Sequence, residues 1–175
     1  MTSGLPTDAL SPAGVAVSEI QSPLGTLLLA AAPLGLTRLA FDDHADAAAP
    51  AQPRLALTRQ PDRTKHLAQA SASLQRYFAG ELSRPDCIID WNHLESTAAA
   101  LMTTEAIPYA SHRSYSELDQ NLTAHDLGHA FGANPIPIFT PCHRVGRGTE
   151  TPTTFVGGTI RRQWLEAHEQ AHPLV

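Results

Sequence analysis

A cysteine and a histidine stand side by side in the run Pro-Cys-His-Arg-Val at residues 141–145, and this pair can carry out nucleophilic chemistry. The preceding residues 134–140 are rich in proline and β-branched side chains, which disfavour a helix. We therefore expect Cys142 on a short extended segment or in a tight turn. A thiol attacks as its thiolate, and a nearby imidazole lowers the thiol pKa, so His143 is a candidate general base.

Plainer interpretations of these two residues stay open on the motif alone. A lone cysteine is often an inert buried thiol, and a histidine beside it can be purely structural. The chain has 2 cysteines, Cys87 and Cys142, and Cys87 is expected to be an ordinary strand residue. Because no export signal is visible, both are predicted to be free thiols in a reducing cytoplasm.

The composition is that of a folded protein with no membrane span. Of the 175 residues, 42% are hydrophobic and 17% are charged, which suits one compact domain or two small ones. No apolar run reaches the roughly 18 residues that a bilayer requires. The sequence therefore predicts a cytoplasmic protein. We also expect it to be a monomer, although no sequence feature establishes the oligomeric state.

Charge and histidine spacing argue against two classes of site. The net charge of −5 does not favour strong nonspecific binding to nucleic acid, although residues 140–163 are locally basic and end with Arg161 and Arg162. Those two arginines suit phosphate contacts and helix-surface charges equally well. Histidines lie four residues apart at 125 and 129 and at 168 and 172, without the cysteines or glutamate of a zinc motif. We predict no metal and no cofactor.

The first half of the chain, residues 1–90, is predicted to be one small domain. Alternating apolar residues and turn signals predict an antiparallel meander, then a surface loop and an amphipathic helix. The predicted strands are residues 14–20, 26–32, 36–41 and 87–89, the loop is 42–65, and the helix is 66–79.

The second half, residues 91–175, is predicted to be mostly helical. Helices are expected over residues 96–106 and 160–170. Ser114 with Glu117, and Thr123 with Asp126, have the form of capping boxes and predict two short helices. Two closely joined helices outline a helix-turn-helix, although such pairs are also common in ordinary cores.

These motifs resemble those of the O6-alkylguanine-DNA alkyltransferases, also called methylated-DNA–protein-cysteine methyltransferases. The resemblance covers most of the chain from about Val15 to Glu169, in the right order. The motifs that carry it are Asn-Pro through Val at 134–145, Ser-Pro-Leu-Gly at 22–25, Tyr-Phe-Ala-Gly-Glu-Leu at 77–82, Ile-Pro-Tyr at 107–109, Arg-Ser-Tyr at 113–115, Phe155 with Gly157 and Gly158, and Trp-Leu-Glu-Ala-His-Glu at 164–169.

The resemblance implies an α+β architecture. A small ribonuclease-H-like domain of antiparallel sheet and helix would precede a mainly helical domain with a helix-turn-helix. It implies transfer of an alkyl group from O6 of guanine in double-stranded DNA to the protein's own cysteine, once per molecule. The damaged nucleotide is rotated out of the duplex, as proteins that modify bases require. O4-alkylthymine is a further candidate substrate.

The resemblance also implies roles for individual residues. Cys142 would be the acceptor, His143 a base acting through water, Glu169 the residue that orients His143, and Asn134 the one that orders the turn. The residues expected to bind the flipped base are Tyr115, Val145, Phe155, Val156 and Gly157. The residues expected to contact DNA are Ala124, His125, Gly128, Phe131 and Arg144.

Elementary chemistry agrees with several of these roles. On an extended segment Cys142 and His143 would point to opposite sides, so a bridging water is a natural proton carrier. Glu169 beside an imidazole would favour imidazolium and fix its tautomer. A proton donor such as Tyr115 would assist departure of the guanine. Tyr115 could equally be a packed aromatic residue, and Glu169 a solvated acid.

Departures from the family pattern concentrate in the predicted DNA-binding helices. His125 stands where an arginine usually fills the gap left by the flipped base, although it could also be a plain surface residue. The stretch between Tyr115 and His125 is shortened, Gly132 replaces a basic residue, and Ser96 and Leu101 replace aromatic residues. We predict weak binding to duplex DNA, with reaction at free O6-alkylguanine better preserved.

Two other functions stay open. A protein of the same family could sense alkylated bases or regulate transcription without completing the transfer. Cys142 and His143 could also serve a hydrolase, which would require repeated turnover and an oxyanion hole. The mass of the protein after incubation with O6-benzylguanine distinguishes the three.

Overall fold

The structure, a computed structural model, describes residues 15–42, 61–92, 97–118, 121–146 and 155–173. Most of the predicted loop at residues 42–65 lies outside the described residues, as does Ser96. None of the helices in the described ranges is both long and apolar enough to cross a bilayer.

Three antiparallel strands form the sheet in the order β1 (Ala16–Ser22), β2 (Gly25–Ala32) and β3 (Gly35–Phe41). Alternate residues of β2 face the core, and Leu27, Leu29 and Ala31 have no exposed surface. This alternation is the pattern of a strand with one buried face. The predicted meander is confirmed.

Helix α1 (Pro61–Phe78) covers the inner face of this sheet. Leu67, Ala70, Leu74 and Tyr77 are buried along one stripe, as a helical period requires. The helix begins earlier than the predicted residue 66, because proline is well tolerated at a first helical position. It ends before Gly80, which has a positive φ of 77°.

The predicted strand at residues 87–89 is wrong, since only an isolated bridge joins Leu36 to Ile89. Leu36 donates to the Ile88 carbonyl at 2.8 Å and accepts from the Asp90 amide at 3.0 Å. Further along β3, the Leu39 amide donates to the Pro135 carbonyl at 2.7 Å. The edge of the sheet is thus shared with the segment that leads to Cys142, which leaves no room for a longer fourth strand.

In the described residues of the second half there are three helices and three short 3-10 turns. The helices are α2 (Ala98–Thr103), α3 (Ala124–Gly132) and α4 (Gly158–Ala171). A 3-10 turn at Thr104–Ala106 continues α2 and ends before Pro108, in keeping with the extended backbone that proline imposes on Ile107. The predicted last helix is confirmed, with its start at Gly158.

Thr123 caps α3 as predicted, because its hydroxyl accepts from the Asp126 amide at 3.1 Å. The other capping box opens no α-helix. The Ser114 amide does donate a hydrogen bond to the Glu117 carboxylate at 2.8 Å, but only a 3-10 turn, Tyr115–Glu117, follows. The turn stops because Leu118 leaves helical geometry, with φ −82° and ψ −122°. In the described residues, the first helix of the predicted helix-turn-helix is a single turn.

Candidate active site

The side chain of Asn134 holds together the turn that leads to Cys142. Its Oδ1 accepts from the Ile136 amide and from the Thr140 hydroxyl, both at 3.0 Å. Its Nδ2 donates to the Thr140 carbonyl at 3.3 Å and to Sγ of Cys142 at 3.1 Å. One buried amide therefore joins both ends of the turn and also contacts the candidate nucleophile.

The same turn contains a strained residue. Ile138 has a φ of 76°, a region that β-branched residues rarely adopt, and its side chain is fully buried. Such a conformation persists only where the surrounding contacts impose it. The bonds of Asn134 and the burial of Ile138 supply those contacts, and they fix the path of the chain into Cys142.

Cys142–Arg144 form a 3-10 turn, so the tight turn is the correct one of the two predicted geometries. The argument that neighbouring side chains point to opposite sides of an extended segment therefore does not apply. Cys142 is only 3% exposed. The sulfur lies at the end of a shielded turn and not on an open surface.

The expectation of a readily ionised thiol is wrong. Burial raises the pKa of Cys142 to about 11, although the Asn134 hydrogen bond and the positive charge of Arg162 act in the opposite direction. Moving a thiolate out of water costs more free energy than these two contacts restore. At rest, Cys142 is a neutral thiol whose proton must be removed when it reacts.

His143 is fixed as a base with one free nitrogen. Its Nε2 lies 2.8 Å from Oε1 of Glu169, and because a carboxylate only accepts, Nε2 carries the hydrogen. Its Nδ1 is buried and has no hydrogen-bond partner among the described residues. Burial lowers the pKa of His143 despite the opposing effect of Glu169. The predicted imidazolium is therefore wrong, and the resting ring is neutral with a lone pair on Nδ1.

Glu169 gathers donors from four residues in three parts of the chain. The Tyr77 hydroxyl donates a hydrogen bond to Oε1 at 2.8 Å, and the Ala110 amide donates one to Oε2 at 3.0 Å. His143 and Arg144 supply the other contacts, the latter with Nε at 3.0 Å from Oε2. Burial alone would raise the pKa of Glu169, but the hydrogen bonds and charges of His143 and Arg144 outweigh it and lower the pKa to about 2. Glu169 is a buried carboxylate and not a solvated acid.

Arg144 was predicted to contact DNA, and its placement contradicts this. The residue is 3% exposed, and its guanidinium faces inward. It binds Glu169, the Ile107 carbonyl at 3.1 Å and the Ser83 carbonyl. A guanidinium in an apolar interior requires such a partner, so Arg144 neutralises Glu169 and is not available to a phosphate.

Phe131 is the second predicted DNA contact that the structure places elsewhere. It is 1% exposed and stacks on the Tyr115 ring, with centroids 6.1 Å apart and an angle of 11°. Phe131 lies on the buried stripe of α3, where an apolar ring is most stable. The Tyr115 hydroxyl lies beside α3, since a Cβ added at Gly128 would be 3.8 Å from it.

The other predicted DNA contacts lie at the exposed start of α3. Ala124 and His125 are exposed and Gly128 is half-buried. The His125 side chain is 90% exposed, and its Nδ1 lies 4.0 Å from Asp126. These residues are accessible to a partner, unlike Phe131.

The predicted base-binding residues come from two sides of His143. The Val145 carbonyl accepts from Arg162 at 2.7 Å. On the other side, the Phe155 ring meets the His143 ring edge to face, with centroids 6.4 Å apart. Val156 is half-buried and Gly157 is buried between two rings, where an added Cβ would lie 2.5 Å from Phe41 and 2.6 Å from Phe155.

Both arginines at the start of α4 face the protein. Arg162 is buried and also pairs with Glu166 at 3.1 Å. Arg161 donates to the Leu24 carbonyl at 3.0 Å and lies over the Phe41 ring, 4.5 Å from its centroid. Arg161 therefore connects the start of α4 to the three-stranded sheet.

The spaced histidine pairs do not form a metal site in the described part of the chain, where no three His, Cys, Asp or Glu side chains cluster. His168 is buried and stacks on Trp164, with centroids 4.9 Å apart. Its Nε2 lies 2.9 Å from the Tyr77 carbonyl, so it packs α4 against α1.

Comparison with known protein families decides the affiliation of the chain. Residues 16–86 match the model of the ribonuclease-like domain of 6-O-methylguanine DNA methyltransferase. Residues 95–171 match the model of the DNA binding domain of the same protein. The chain belongs to this methyltransferase family.

Individual members of the family are similar over nearly the whole chain. A methylated-DNA–protein-cysteine methyltransferase of Mycolicibacterium paratuberculosis is 34% identical over 163 residues, which cover 87% of this chain and 91% of that protein. The structure of Mycobacterium tuberculosis OGT in complex with DNA matches with a TM-score of 0.72 and 31% identity, over 89% of this chain and 93% of that one. The structure of the M. tuberculosis O6-methylguanine methyltransferase matches with a TM-score of 0.66 over 92% of this chain and 96% of that one. The predicted fold class is confirmed.

Two residues at the site have roles that sequence reasoning missed. Tyr77 was assigned only to a helix stripe and a family motif, yet its hydroxyl reaches Glu169. Arg162, assigned to the surface, reaches the Val145 carbonyl. For Tyr77 a signal existed, because a tyrosine at a fully buried helix position requires a partner for its hydroxyl.

Proposed function

We propose that this protein removes an alkyl group from O6 of guanine in DNA and transfers it to Sγ of Cys142, once per molecule and irreversibly. The arrangement of Cys142, His143 and Glu169 carries the proposal. A buried thiol held by Asn134 lies next to a histidine with one free nitrogen, and the other nitrogen is anchored at 2.8 Å to a buried carboxylate. O4-alkylthymine is a second candidate substrate, because it carries the same type of alkyl–oxygen bond.

The first step is removal of the thiol proton. Because the pKa of Cys142 is raised, the resting thiol requires a base at the moment of attack. Nδ1 of His143 accepts the proton, with a water molecule as the carrier. The ring then becomes an imidazolium that faces the carboxylate of Glu169, and this ion pair offsets the cost of the new buried charge.

The second step is substitution at the alkyl carbon. Sγ of Cys142 forms a bond to that carbon while the bond from the carbon to O6 breaks, and its electron pair stays with the guanine. The Tyr115 hydroxyl donates to the departing base and limits the build-up of negative charge. The thioether product has no ready hydrolytic route back to the thiol, so each molecule acts once.

Binding of the base would use both sides of His143. The nucleotide is rotated out of the duplex, and backbone groups at Val145 and Val156 contact its edge next to the Phe155 ring. The exposed start of α3, with Ala124, His125 and Gly128, would lie against the DNA. Since His125 is shorter than arginine, we propose weak binding to duplex DNA and better preserved reaction with free O6-alkylguanine.

The mass of the intact protein after incubation with O6-benzylguanine tests the proposal. We expect one stable benzyl group per molecule, located on Cys142 by peptide mapping. Cys142→Ser should abolish the adduct, because a hydroxyl is far less acidic than a thiol. Cys87→Ser is the matched control and should react like the wild type, since burial raises the pKa of Cys87 to about 12 and no base among the described residues contacts its thiol.

Other outcomes would overturn the proposal. Binding to alkylated DNA without any adduct would indicate a sensor that does not repair. Repeated release of product by one protein molecule would indicate a hydrolase. An adduct on Cys87 in place of Cys142 would show that the assigned nucleophile is wrong.

Three organisational features are proposed together with this activity. The chain would divide into two domains, residues 1–90 and 91–175. The proposed boundary lies between the stretches that the two family models match, since the first ends at residue 86 and the second begins at residue 95. The protein would act as a monomer in the cytoplasm.

A further inference from the structure

A tyrosine from the sheet-covering helix reaches into the active site. Tyr77 lies in the last turn of α1, and its side chain has no exposed surface. Its hydroxyl donates to Oε1 of Glu169 at 2.8 Å. His143 contacts the same oxygen, also at 2.8 Å. The phenol and the imidazole therefore share one acceptor atom.

We propose that Tyr77 is a positioning residue for the transfer reaction, through which the first half of the chain sets the basicity of His143. The proposal rests on the function proposed for Cys142 and His143. It assigns part of the proton-transfer machinery to α1, which lies outside the segment matched by the DNA-binding-domain model.

The reason is electrostatic. A hydrogen bond to a carboxylate oxygen withdraws charge from it, so a phenol on Oε1 weakens the attraction of that oxygen for a protonated imidazole. His143 must be neutral at rest in order to accept the Cys142 proton. Tyr77 therefore helps to keep His143 unprotonated, in the direction that burial already sets. Burial beside Glu169 raises the pKa of Tyr77, so the phenol remains a donor throughout the accessible pH range.

A change confined to the Tyr77 hydroxyl leaves the rest of this environment in place. The other titratable or charged groups that face the cluster are Arg144, Tyr109, Glu166, Arg162 and His168. His168 contacts the Tyr77 backbone carbonyl and the face of its ring, and both remain when only the hydroxyl is removed.

The test is the pH dependence of alkyl transfer from O6-benzylguanine in the full-length Tyr77→Phe variant. The transfer rate should fall at acid pH as His143 becomes protonated. In Tyr77→Phe this acid limb should move to higher pH by roughly half to one unit, because Glu169 then holds the imidazolium more strongly. The rate constant per reactive molecule is read separately from the amplitude, so a loss of folded protein lowers the amplitude and does not move the limb.

Tyr109→Phe is the matched control. Tyr109 also lies close to Glu169, but its buried hydroxyl has no hydrogen-bond partner among the described residues. Removing that hydroxyl should leave the acid limb where it is in the wild type. A purely structural role for Tyr77 would lower the rate by the same factor at every pH.

A second variant should shift the acid limb in the opposite direction. It also serves as the test if the Tyr77→Phe variant does not fold. Site-specific incorporation of 3,5-difluorotyrosine at position 77 keeps the ring and the hydroxyl and strengthens the donor. Its acid limb should move to lower pH. Acid limbs that coincide with the wild type in these variants would overturn the role of Tyr77 while leaving transfer to Cys142 intact. Absence of any wild-type adduct would overturn both proposals.

Discussion

The centre around Glu169 and the surface of α3 around His125 use histidine in opposite ways. His143 is 1% exposed and is fixed by a contact of 2.8 Å to a carboxylate. The His125 side chain is 90% exposed, and its nearest acid is 4.0 Å away. The first ring is oriented before any substrate arrives, whereas the second is free to rotate.

This contrast indicates where substitutions should cost most folding stability. Each group in the buried centre neutralises or orients another, and a change to Glu169 or Arg144 leaves an unpaired charge in the interior. At the start of α3 the side chains contact little of the protein, and substitutions there cost little folding stability. We therefore expect substitutions to cost more at the motif residues around Cys142 than at His125.

The largest expected effect comes from Glu169→Gln. The substitution leaves the buried Arg144 guanidinium without its counter-charge, and we expect a loss of about 3–5 kcal/mol in the free energy of unfolding. Urea denaturation measures this directly. Glu81→Gln is the control, because the pair of Arg76 and Glu81 has side chains 59% and 57% exposed, and its loss should cost no more than about 1 kcal/mol. Equal losses in the two variants would show that the buried centre is not special.

Acid should weaken the same centre in a defined pH range. The pKa of Glu169 falls from 4.5 to about 2 on folding, so its stabilisation is present above pH 4.5 and is lost as the pH falls toward 2. The pKa of His143 is also lowered from 6.5, so its contribution begins to disappear just below that value. Thermal unfolding measured across this range should show a steep loss of stability in the wild type and a shallower one in Glu169→Gln. Parallel curves would contradict the assignment.

A smaller effect is expected at the exposed surface of α3, where His125→Arg should strengthen binding to duplex DNA. A full positive charge with a longer reach should raise duplex affinity about three- to tenfold at low salt and steepen the salt dependence by up to about 0.9 in log–log slope. Fluorescence anisotropy with a duplex oligonucleotide measures both. Gln75→Arg adds the same charge to an exposed position on α1 and should have less effect. An equal gain from both variants would show that only net charge matters.

The sequence predicted the features that depend on local patterns. Alternation in β2 and turn residues between strands indicated the meander, and the capping box at Thr123 located the start of α3. The proline-rich segment before Cys142 excluded a helix there. Family motifs predicted Asn134, His143 and Glu169 for one site. The side chains of His143 and Glu169 do meet, at 2.8 Å, and Asn134 contacts Sγ of Cys142.

The features that depend on long-range burial were not predictable in the same way. Arg144 was predicted to contact DNA because no local pattern shows that its guanidinium lies next to Glu169, 25 residues away in the chain. The predicted ionisation states of Cys142 and His143 were wrong for the same reason, because desolvation depends on the assembled core and not on neighbours in the chain. The capping box at Ser114 satisfied a local rule, but the backbone at Leu118 ended the turn.

The proposed contrast between an intact chemical centre and a weakened DNA surface is tested most directly by one ratio. O6-benzylguanine is supplied either free or within a duplex oligonucleotide, and the two transfer rates are measured at matched salt for this protein and for the M. tuberculosis relative. We expect similar rates with the free base and a smaller duplex-to-free ratio for this protein. A ratio equal to or greater than that of the relative would contradict a weakened hold on DNA.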